Sequence, residues 1–192
     1  MNCTPGLRWL RTGSLALLIL TSGCASLVSP EAAVDPSPIN SWSGRFAVSW
    51  RTGAMQSDAQ ASGRFDLRTQ GSRVELEALS SFGQTIARAT SAPGRTVLET
   101  ADGERHEAGN PEVLTENVLG WRVPVSRLPE WLQRASAKNA QAQQFTESGW
   151  SVQISAGVDL PAARLTLRWP AGDSAERSPN RVMLRLVLDA QD

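Results

Sequence analysis

Residues 63–79, GRFDLRTQGSRVELEAL, decide the fold of this chain, because apolar and polar side chains alternate on both sides of a short turn. Before the turn, Phe65 and Leu67 alternate with arginine and aspartate; after it, Val74 and Leu76 alternate with arginine and glutamate. Alternation with a period of two is typical of strands that bury one face in a core. The sequence therefore predicts a pair of antiparallel strands here, each with one apolar side.

The same alternation is found on both sides of this pair. Before it, Phe46, Val48 and Trp50 alternate with alanine and serine. Successive short strands separated by turns are typical of an antiparallel meander. After the pair, further strands are predicted near residues 85–90, 96–100, 150–154, 165–169 and 182–188.

Two helices interrupt the strands. The first is predicted between Asn110 and Gly120, because asparagine is a good N-cap, Pro111 suits the first helical turn and glycine ends helices. The second starts near Ser126. Its apolar stripe has helical spacing and consists of Leu128, Trp131, Leu132 and Ala135. Strands and helices together predict an α+β domain with two short central helices.

The N-terminus has the pattern of a secretory signal peptide. Two arginines precede an apolar run at residues 15–20, which is far shorter than the ~20 residues of a transmembrane helix. The string that ends at Cys24 resembles the lipobox of bacterial lipoproteins, although Thr21 stands where leucine is usual. We therefore expect residues 1–23 to be removed and Cys24 to be lipidated. The alternative is an ordinary signal peptide cut near Ala25, which leaves a soluble periplasmic protein.

Residues 24–40 are predicted to be a flexible tether. Its residues are mostly small or polar and include three prolines. A segment of this composition cannot bury enough apolar surface to fold. In lipoproteins generally, alanine after the lipidated cysteine is compatible with the outer membrane, so Ala25 predicts that location. The folded domain is assigned to residues 41–192.

Composition argues against several classes of function. Removal of residues 1–23 takes two arginines from the 19 basic residues and leaves 17 against 19 acidic ones, a net charge of −2 with no basic block for nucleic acid. Cys24 is then the only cysteine, so neither a disulfide nor a thiolate metal site is expected. His106 is the only histidine, and the sequence has no serine-hydrolase elbow, metal-ligand spacing or glycine-rich phosphate loop. We therefore expect no catalysis and no cofactor, metal ion or nucleic acid.

The aromatic residues leave two alternatives open. Six tryptophans remain after residue 23, and most lie on the apolar side of a strand or helix, where they form either an ordinary core or the wall of a lipid cavity. Phe82 lies between two predicted strands, where a polar turn is expected. Its ring either folds back into the core or forms an exposed apolar wedge that contacts a membrane or an acyl chain.

In the order and spacing of its motifs, the chain resembles the LolB family of outer-membrane lipoproteins. The motifs are Cys24 with the tether, GRFAV at 44–48, residues 79–87, LGWRVPV at 119–125, LPEWL at 128–132 and GWSV at 149–152. The resemblance implies an incomplete antiparallel β-barrel, or half-barrel, with short helices lidding an apolar cavity. It also implies a monomer that receives acylated lipoprotein cargo from a periplasmic, LolA-like carrier. The cargo is then inserted into the inner leaflet of the outer membrane without nucleotide hydrolysis.

The resemblance also assigns candidate site residues. Family members carry a protruding loop with an exposed leucine, often in a Pro-Leu-Gly string, and Ser81, Phe82 and Gly83 occupy that place here. Lipidated Cys24 is the expected anchor in the outer membrane. The candidates for the acyl cavity are Phe46, Val48, Trp50, Phe65, Leu67, Leu76, Ile86, Trp121, Trp131, Leu132, Trp150 and Trp169.

Two other functions stay open on the sequence alone. One is a structural or assembly lipoprotein of the outer membrane, whose β-domain docks a membrane protein. The other is a periplasmic carrier of a small ligand. A tryptophan fluorescence change that depends on the acyl chain separates a lipoprotein receptor from a docking module.

Overall fold

The computed structural model describes residues 37–51, 58–155, 162–172 and 180–190. The predicted signal peptide, Cys24 and the tether as far as residue 36 lie outside these ranges. The described residues form β1 (Ile39–Arg51), β2 (Ala59–Gln70), β3 (Arg73–Leu79), β4 (Thr85–Ala92), β5 (Arg95–Thr100), β6 (Arg105–Ala108), α1 (Pro111–Leu119), α2 (Leu128–Ser136), β7 (Gln143–Glu147), β8 (Trp150–Ser155), β9 (Arg164–Trp169) and β10 (Arg181–Leu188).

All of these strands lie in one antiparallel sheet, in the order β6-β5-β4-β3-β2-β1-β10-β9-β8-β7. The first strand pairs with the last, so that Gly44 lies opposite Leu188 and Trp50 lies opposite Val182. This pairing joins the N-terminal and C-terminal halves of the meander. Within the described residues the edge strands β6 and β7 do not pair with each other, so the sheet is open, consistent with a half-barrel.

The two faces of the sheet differ as the alternation predicted. On β2, Phe65 and Leu67 are buried while Arg64 is exposed, and β8 and β10 likewise bury every second residue. We call the buried side the core face and the opposite side the outer face. The first strand begins at Ile39, so the last two residues of the range 24–40 pair with β2.

Both predicted helices are present, and the local sequence accounts for their bounds. The Asn110 side chain accepts hydrogen bonds from two backbone N–H groups in the first turn of α1, and Gly120 ends that helix in the left-handed conformation with φ of 80°. The second helix begins at Leu128, two residues after the predicted start. All four residues of its predicted apolar stripe are buried.

The main core lies between the core face and α2. Trp131 and Leu132 are fully buried against side chains from β1, β2, β8, β9 and β10. Residues 120–127, which we call the linker, join the two helices and contribute Trp121, Val123 and Val125 to the same cluster. Each large apolar side chain buried in this way contributes about 1.5–3 kcal/mol to stability.

The first helix packs elsewhere on the same side of the sheet. It contacts β5 and β6, and Leu114 forms a second, smaller cluster with Ala89 and Leu98. Leu76 packs against both clusters. The two helices therefore lie over different parts of the core face.

Candidate functional site

The structure brings eleven of the twelve acyl-cavity candidates together on the core side of the molecule. Seven are buried in the main core cluster: Val48, Phe65, Leu67, Trp121, Trp131, Leu132 and Trp150. Four are partly buried and pack against it: Phe46, Trp50, Leu76 and Trp169. Ile86 is not brought into the described core; it is 42% exposed beside the register shift between β3 and β4. That an acyl chain uses this face stays a prediction.

Trp50 and Trp121 lie against each other at one end of the core. Their ring centroids are 6.5 Å apart, and their planes are tilted by 35°. Trp121 is buried, whereas Trp50 is half buried near the end of β1. Beside Trp50, a groove of about 250 Å³ extends to Trp169 across the ends of β1, β10 and β9. Trp50 and Trp169 are therefore candidates that can be reached from solvent.

Two tryptophan side chains form hydrogen bonds between α2 and the sheet. The indole Nε1–H of Trp131 donates to Glu147 Oε2 on β7 at 2.8 Å, and Arg127 lies 3.3 Å from the other carboxylate oxygen of Glu147. The indole Nε1–H of Trp42 on β1 donates to Ser136 Oγ at 3.1 Å. The helix is thus held at both of its ends, on strands that are far apart in the sheet order.

The linker is held by polar side chains of α1. Glu112 Oε1 accepts hydrogen bonds from the Ser126 backbone N–H at 3.0 Å and from its hydroxyl at 2.6 Å. Thr115 Oγ1 accepts from the Val123 backbone N–H at 2.9 Å. Buried backbone groups need such partners, and these bonds explain how a segment without regular structure lies in the core.

Phe82 lies at the tip of the loop between β3 and β4, and it is 93% exposed. The ring therefore does not fold back into the core, which excludes the first of the two alternatives left by the sequence. Ser81 and Gly83 beside it are exposed as well. We call residues 80–84 the exposed loop; its contact with a membrane stays a prediction.

Ser80 orders the exposed loop. Its hydroxyl oxygen accepts hydrogen bonds from the backbone N–H groups of Phe82 at 3.3 Å and Gln84 at 3.2 Å. Its backbone donates to the Gln84 carbonyl at 2.7 Å and accepts from the Gly83 N–H at 2.9 Å. Gly83 has φ of 81°, a left-handed conformation that glycine adopts at little cost. The loop is thus a tight turn without the proline that is frequent in the family.

Glu77 supports the base of the exposed loop on the outer face. Its carboxylate accepts hydrogen bonds from the Thr85 hydroxyl at 2.6 Å and from Arg88 at 2.9 Å. These contacts, the Thr85 hydrogen bond foremost, hold the pKa of the Glu77 carboxyl below its ordinary value. They join β3 to β4 at the residues that flank the loop.

Sequence reasoning identified the tip of the loop and missed the residues that support it. A serine whose side chain accepts from backbone N–H groups further along the turn is a known local signal, and Ser80 could have been found by it. The role of Glu77 depends on a cross-strand neighbour, which the local sequence does not indicate.

Two structural features that would indicate other functions are missing from the described residues. In those ranges there is no group of three or more histidine, cysteine, aspartate or glutamate side chains placed to hold a metal ion. No helix in the same ranges is long and apolar enough to cross a membrane.

Similarity to known proteins extends over almost the whole chain. The family model described as outer membrane lipoprotein LolB matches residues 41–189. Proteins named outer-membrane lipoprotein LolB are 34% identical in Bordetella parapertussis, covering 94% of this chain and 93% of that one, and 29% identical in Azoarcus sp. strain BH72, covering 96% of each. A third, from Bordetella petrii, is 32% identical over 83% of each chain. The crystal structure of the ywiB protein from Bacillus subtilis superposes with a TM-score of only 0.29 at 5% identity, covering 80% of this chain and 94% of that one.

Proposed function

This chain belongs to the LolB family of outer-membrane lipoproteins, and on that premise we propose that it receives acylated lipoproteins from a LolA-like periplasmic carrier and inserts them into the inner leaflet of the outer membrane. Phe82 is the observation that supports this most directly. A phenylalanine that is 93% exposed on an ordered turn buries little of its ring in the fold and is suited to enter a membrane.

The transfer needs an apolar environment for the acyl chains of the cargo. Each CH₂ group taken out of water contributes about 0.8 kcal/mol, so a lipoprotein with several chains does not cross the periplasm unshielded at a useful rate. The larger of the two apolar clusters among the described residues lies between the core face, α2 and the linker. We place the entry of an acyl chain between Trp50 and Trp169, because these two candidates are partly buried against the main cluster and border the groove.

No nucleotide is required in this scheme. Transfer proceeds if the affinity for acyl chains rises from the carrier to this protein and from this protein to the bilayer. Phe82 favours the last step, because its ring brings the loaded domain into contact with the membrane interface, where aromatic side chains are stable.

Location follows from the N-terminal residues. Lipidated Cys24 anchors the protein in the outer membrane, and Ala25 is compatible with sorting there. The lipid on Cys24 is a location device in this proposal, separate from acyl binding by the folded domain. The protein acts as a receptor and not as an enzyme.

The receiving step is tested with the mature chain, residues 24–192, carrying Cys24→Ala. The protein is mixed with a triacylated lipopeptide or with the same peptide without acyl chains, and tryptophan fluorescence is recorded. We expect a saturable change with the acylated peptide alone. An equal response to both peptides, or none to either, supports a structural module that docks a membrane protein and contradicts the receptor role.

A further inference from the structure

The outer face of the sheet carries a group of arginines that the proposed transfer does not use. Arg45 on β1, Arg185 on β10, and Arg164 and Arg168 on β9 lie at outer-face positions of three adjacent strands. Three of them are exposed, and Arg168 is half exposed. We call these four residues the arginine face.

The arginine face lacks acidic partners. Among the described residues, none of the ion pairs involves any of its four arginines, and Arg168 makes only a hydrogen bond to Gln153 at 3.5 Å. Most arginines elsewhere on the sheet are paired, for example Arg88 with Glu77 and Arg95 with Glu107. The whole chain has 19 basic and 19 acidic residues, so this local excess of positive charge does not follow from composition.

The pairing of β1 with β2 increases this charge. Arg45 lies directly opposite Arg64, and like charges in such positions destabilise a sheet. Arg64 is compensated by Asp189 at 2.9 Å, but Arg45 has no ion pair among the described residues. An anion supplied from outside the protein would offset the cost.

The strand register connects the arginine face to the exposed loop. Leu79, next to the loop, pairs with Arg64, which pairs with Arg45; Val187 and Arg164 continue the same row. Neighbouring strands are about 4.8 Å apart, so Arg45 lies about 10 Å and Arg164 about 19 Å from Leu79 along this row. The arginine face therefore begins two strands, or about 10 Å, from the base of the loop that carries the exposed apolar ring.

There is space for an anion on this face. A shallow groove of about 530 Å³ lies beside Arg185; small side chains such as Ala47, Ser49 and Ser62 border it, together with the longer Gln60 and Met183. Small neighbours let a phosphate approach the guanidinium group closely. Guanidinium binds phosphate oxygens with paired, charge-assisted hydrogen bonds.

We propose that the arginine face binds the phosphate groups of anionic phospholipids and holds the outer side of the sheet on the membrane beside the Phe82 insertion point. The proposal rests on the proposed function, which places the exposed loop at a membrane. Two membrane contacts then orient the domain on the bilayer. One is the apolar contact of Phe82, and the other is the electrostatic contact of the arginine face on three strands. The electrostatic contact weakens with salt, because ions screen charges at a membrane surface.

Vesicle binding by the mature chain carrying Cys24→Ala tests the proposal. Vesicles of phosphatidylcholine alone are compared with vesicles that contain about 30% phosphatidylglycerol, a charged surface of the kind that attracts basic residues. The test variant carries Arg45→Gln, Arg164→Gln and Arg185→Gln. The matched control carries Arg73→Gln, Arg95→Gln and Arg105→Gln, which removes the same charge from exposed arginines on β3, β5 and β6.

We expect the test variant to bind the anionic vesicles roughly 10- to 100-fold more weakly than the parent, because each arginine near such a surface contributes about fivefold. The control variant keeps binding within about threefold of the parent, since its arginines lie on other strands. Binding by the parent falls in high salt, and binding to neutral vesicles is the same for all three proteins.

Equal binding of the test and control variants to anionic vesicles overturns the proposal. In that case Phe82→Ser is also measured. If it abolishes binding to neutral vesicles, the proposed function stands while this inference fails. If vesicle binding is intact but the test variant no longer takes cargo from the periplasmic carrier, the arginine face serves a protein partner, and the lipid assignment is wrong.

Discussion

Trp50 on β1 and Trp121 in the linker meet across one end of the core, with ring centroids 6.5 Å apart. The contact connects β1, the strand whose pairing with β10 joins the two halves of the sheet, to the linker between the two helices. In the proposed transfer, an acyl chain that enters between the sheet and the linker at this end meets this pair of rings. The pair is therefore both a candidate entrance and an optical reporter.

We predict that replacing Trp50 by Phe removes much of the fluorescence change caused by a triacylated peptide. The half-buried Trp50 borders the groove, whereas Trp150 is 3% exposed in the core and serves as the matched control through Trp150→Phe. Titration with the acylated peptide measures both variants. If Trp150→Phe loses the signal and Trp50→Phe keeps it, the entrance lies elsewhere.

Ser80→Ala should loosen the exposed loop. The substitution removes the acceptor of two backbone hydrogen bonds, and each such bond contributes about 0.5–1.5 kcal/mol. We expect faster hydrogen exchange at the Phe82 and Gln84 amides, with the core amides unchanged. Ser81→Ala is the control, since the loop hydrogen bonds among the described residues use Ser80 and not the Ser81 side chain. Unchanged exchange in Ser80→Ala contradicts the assigned role of the hydroxyl.

Glu77 predicts a dependence of stability on pH. Because its pKa is lowered in the folded state, the carboxylate stabilises the fold above its unfolded value of 4.5, and this contribution is lost as pH falls through the lower folded value. At pH 7, Glu77→Gln should cost about 0.5–1 kcal/mol, a modest figure because the carboxylate is partly exposed to solvent.

Denaturant unfolding of the parent and Glu77→Gln at neutral and acidic pH checks this prediction. The difference between the two proteins should shrink as the pH falls below 4.5 and vanish once Glu77 is protonated in the folded state. If the difference in unfolding free energy does not change with pH, the substitution acts through packing and not through the charge of Glu77.

The Trp131 to Glu147 hydrogen bond predicts a larger loss of stability. In Glu147→Ala the fully buried indole N–H of Trp131 loses its acceptor, which costs about 1–3 kcal/mol. Glu130→Ala, on the exposed side of the same helix, should cost under about 1 kcal/mol although it also removes ion pairs with Arg127 and Arg134. Thermal unfolding of both variants measures the difference, and equal losses contradict the assignment.

Local pattern predicted most of the sheet and both helices. The alternation at Phe65, Leu67 and Leu76 corresponds to β2 and β3, and the caps at Asn110 and Gly120 bound α1. These features depend on neighbours in sequence. For that reason they were visible without the structure.

Other elements depend on neighbours in space. The polar strand β7 was not predicted, because its stretch from Gln143 to Glu147 is mostly hydrophilic and it is stabilised by pairing with β8 at the edge of the sheet. The pairing of β1 with β10 is likewise not encoded in either strand alone.

In the candidate site, too, some features depend on neighbours in sequence and others on neighbours in space. The sequence placed Phe82 between two strands but left the exposure of its ring open, and the structure shows the ring 93% exposed. The position of Ile86 could not be predicted, because Ile86 lies at a register shift that belongs to the pairing of β3 with β4. The arginine face is invisible in sequence, since its four residues lie on three strands that become adjacent only in the sheet.

The central claim is that Phe82 delivers bound lipoprotein to the membrane. Phe82→Glu replaces the apolar ring with a charge that does not enter a bilayer interface, while Phe82→Leu is the control that restores the leucine frequent in the family. Both substitutions lie at an exposed tip and leave the core intact. The variants are loaded with triacylated lipoprotein and mixed with outer-membrane vesicles.

The measurement is the amount of lipoprotein that becomes membrane-inserted, set against the amount bound before mixing. The account predicts that all three proteins bind cargo within about twofold, that Phe82→Leu delivers like the parent, and that Phe82→Glu delivers at least about tenfold less, because a charge placed in an interface opposes insertion. Delivery by Phe82→Glu at the parent's rate, with cargo binding intact, would contradict the claim.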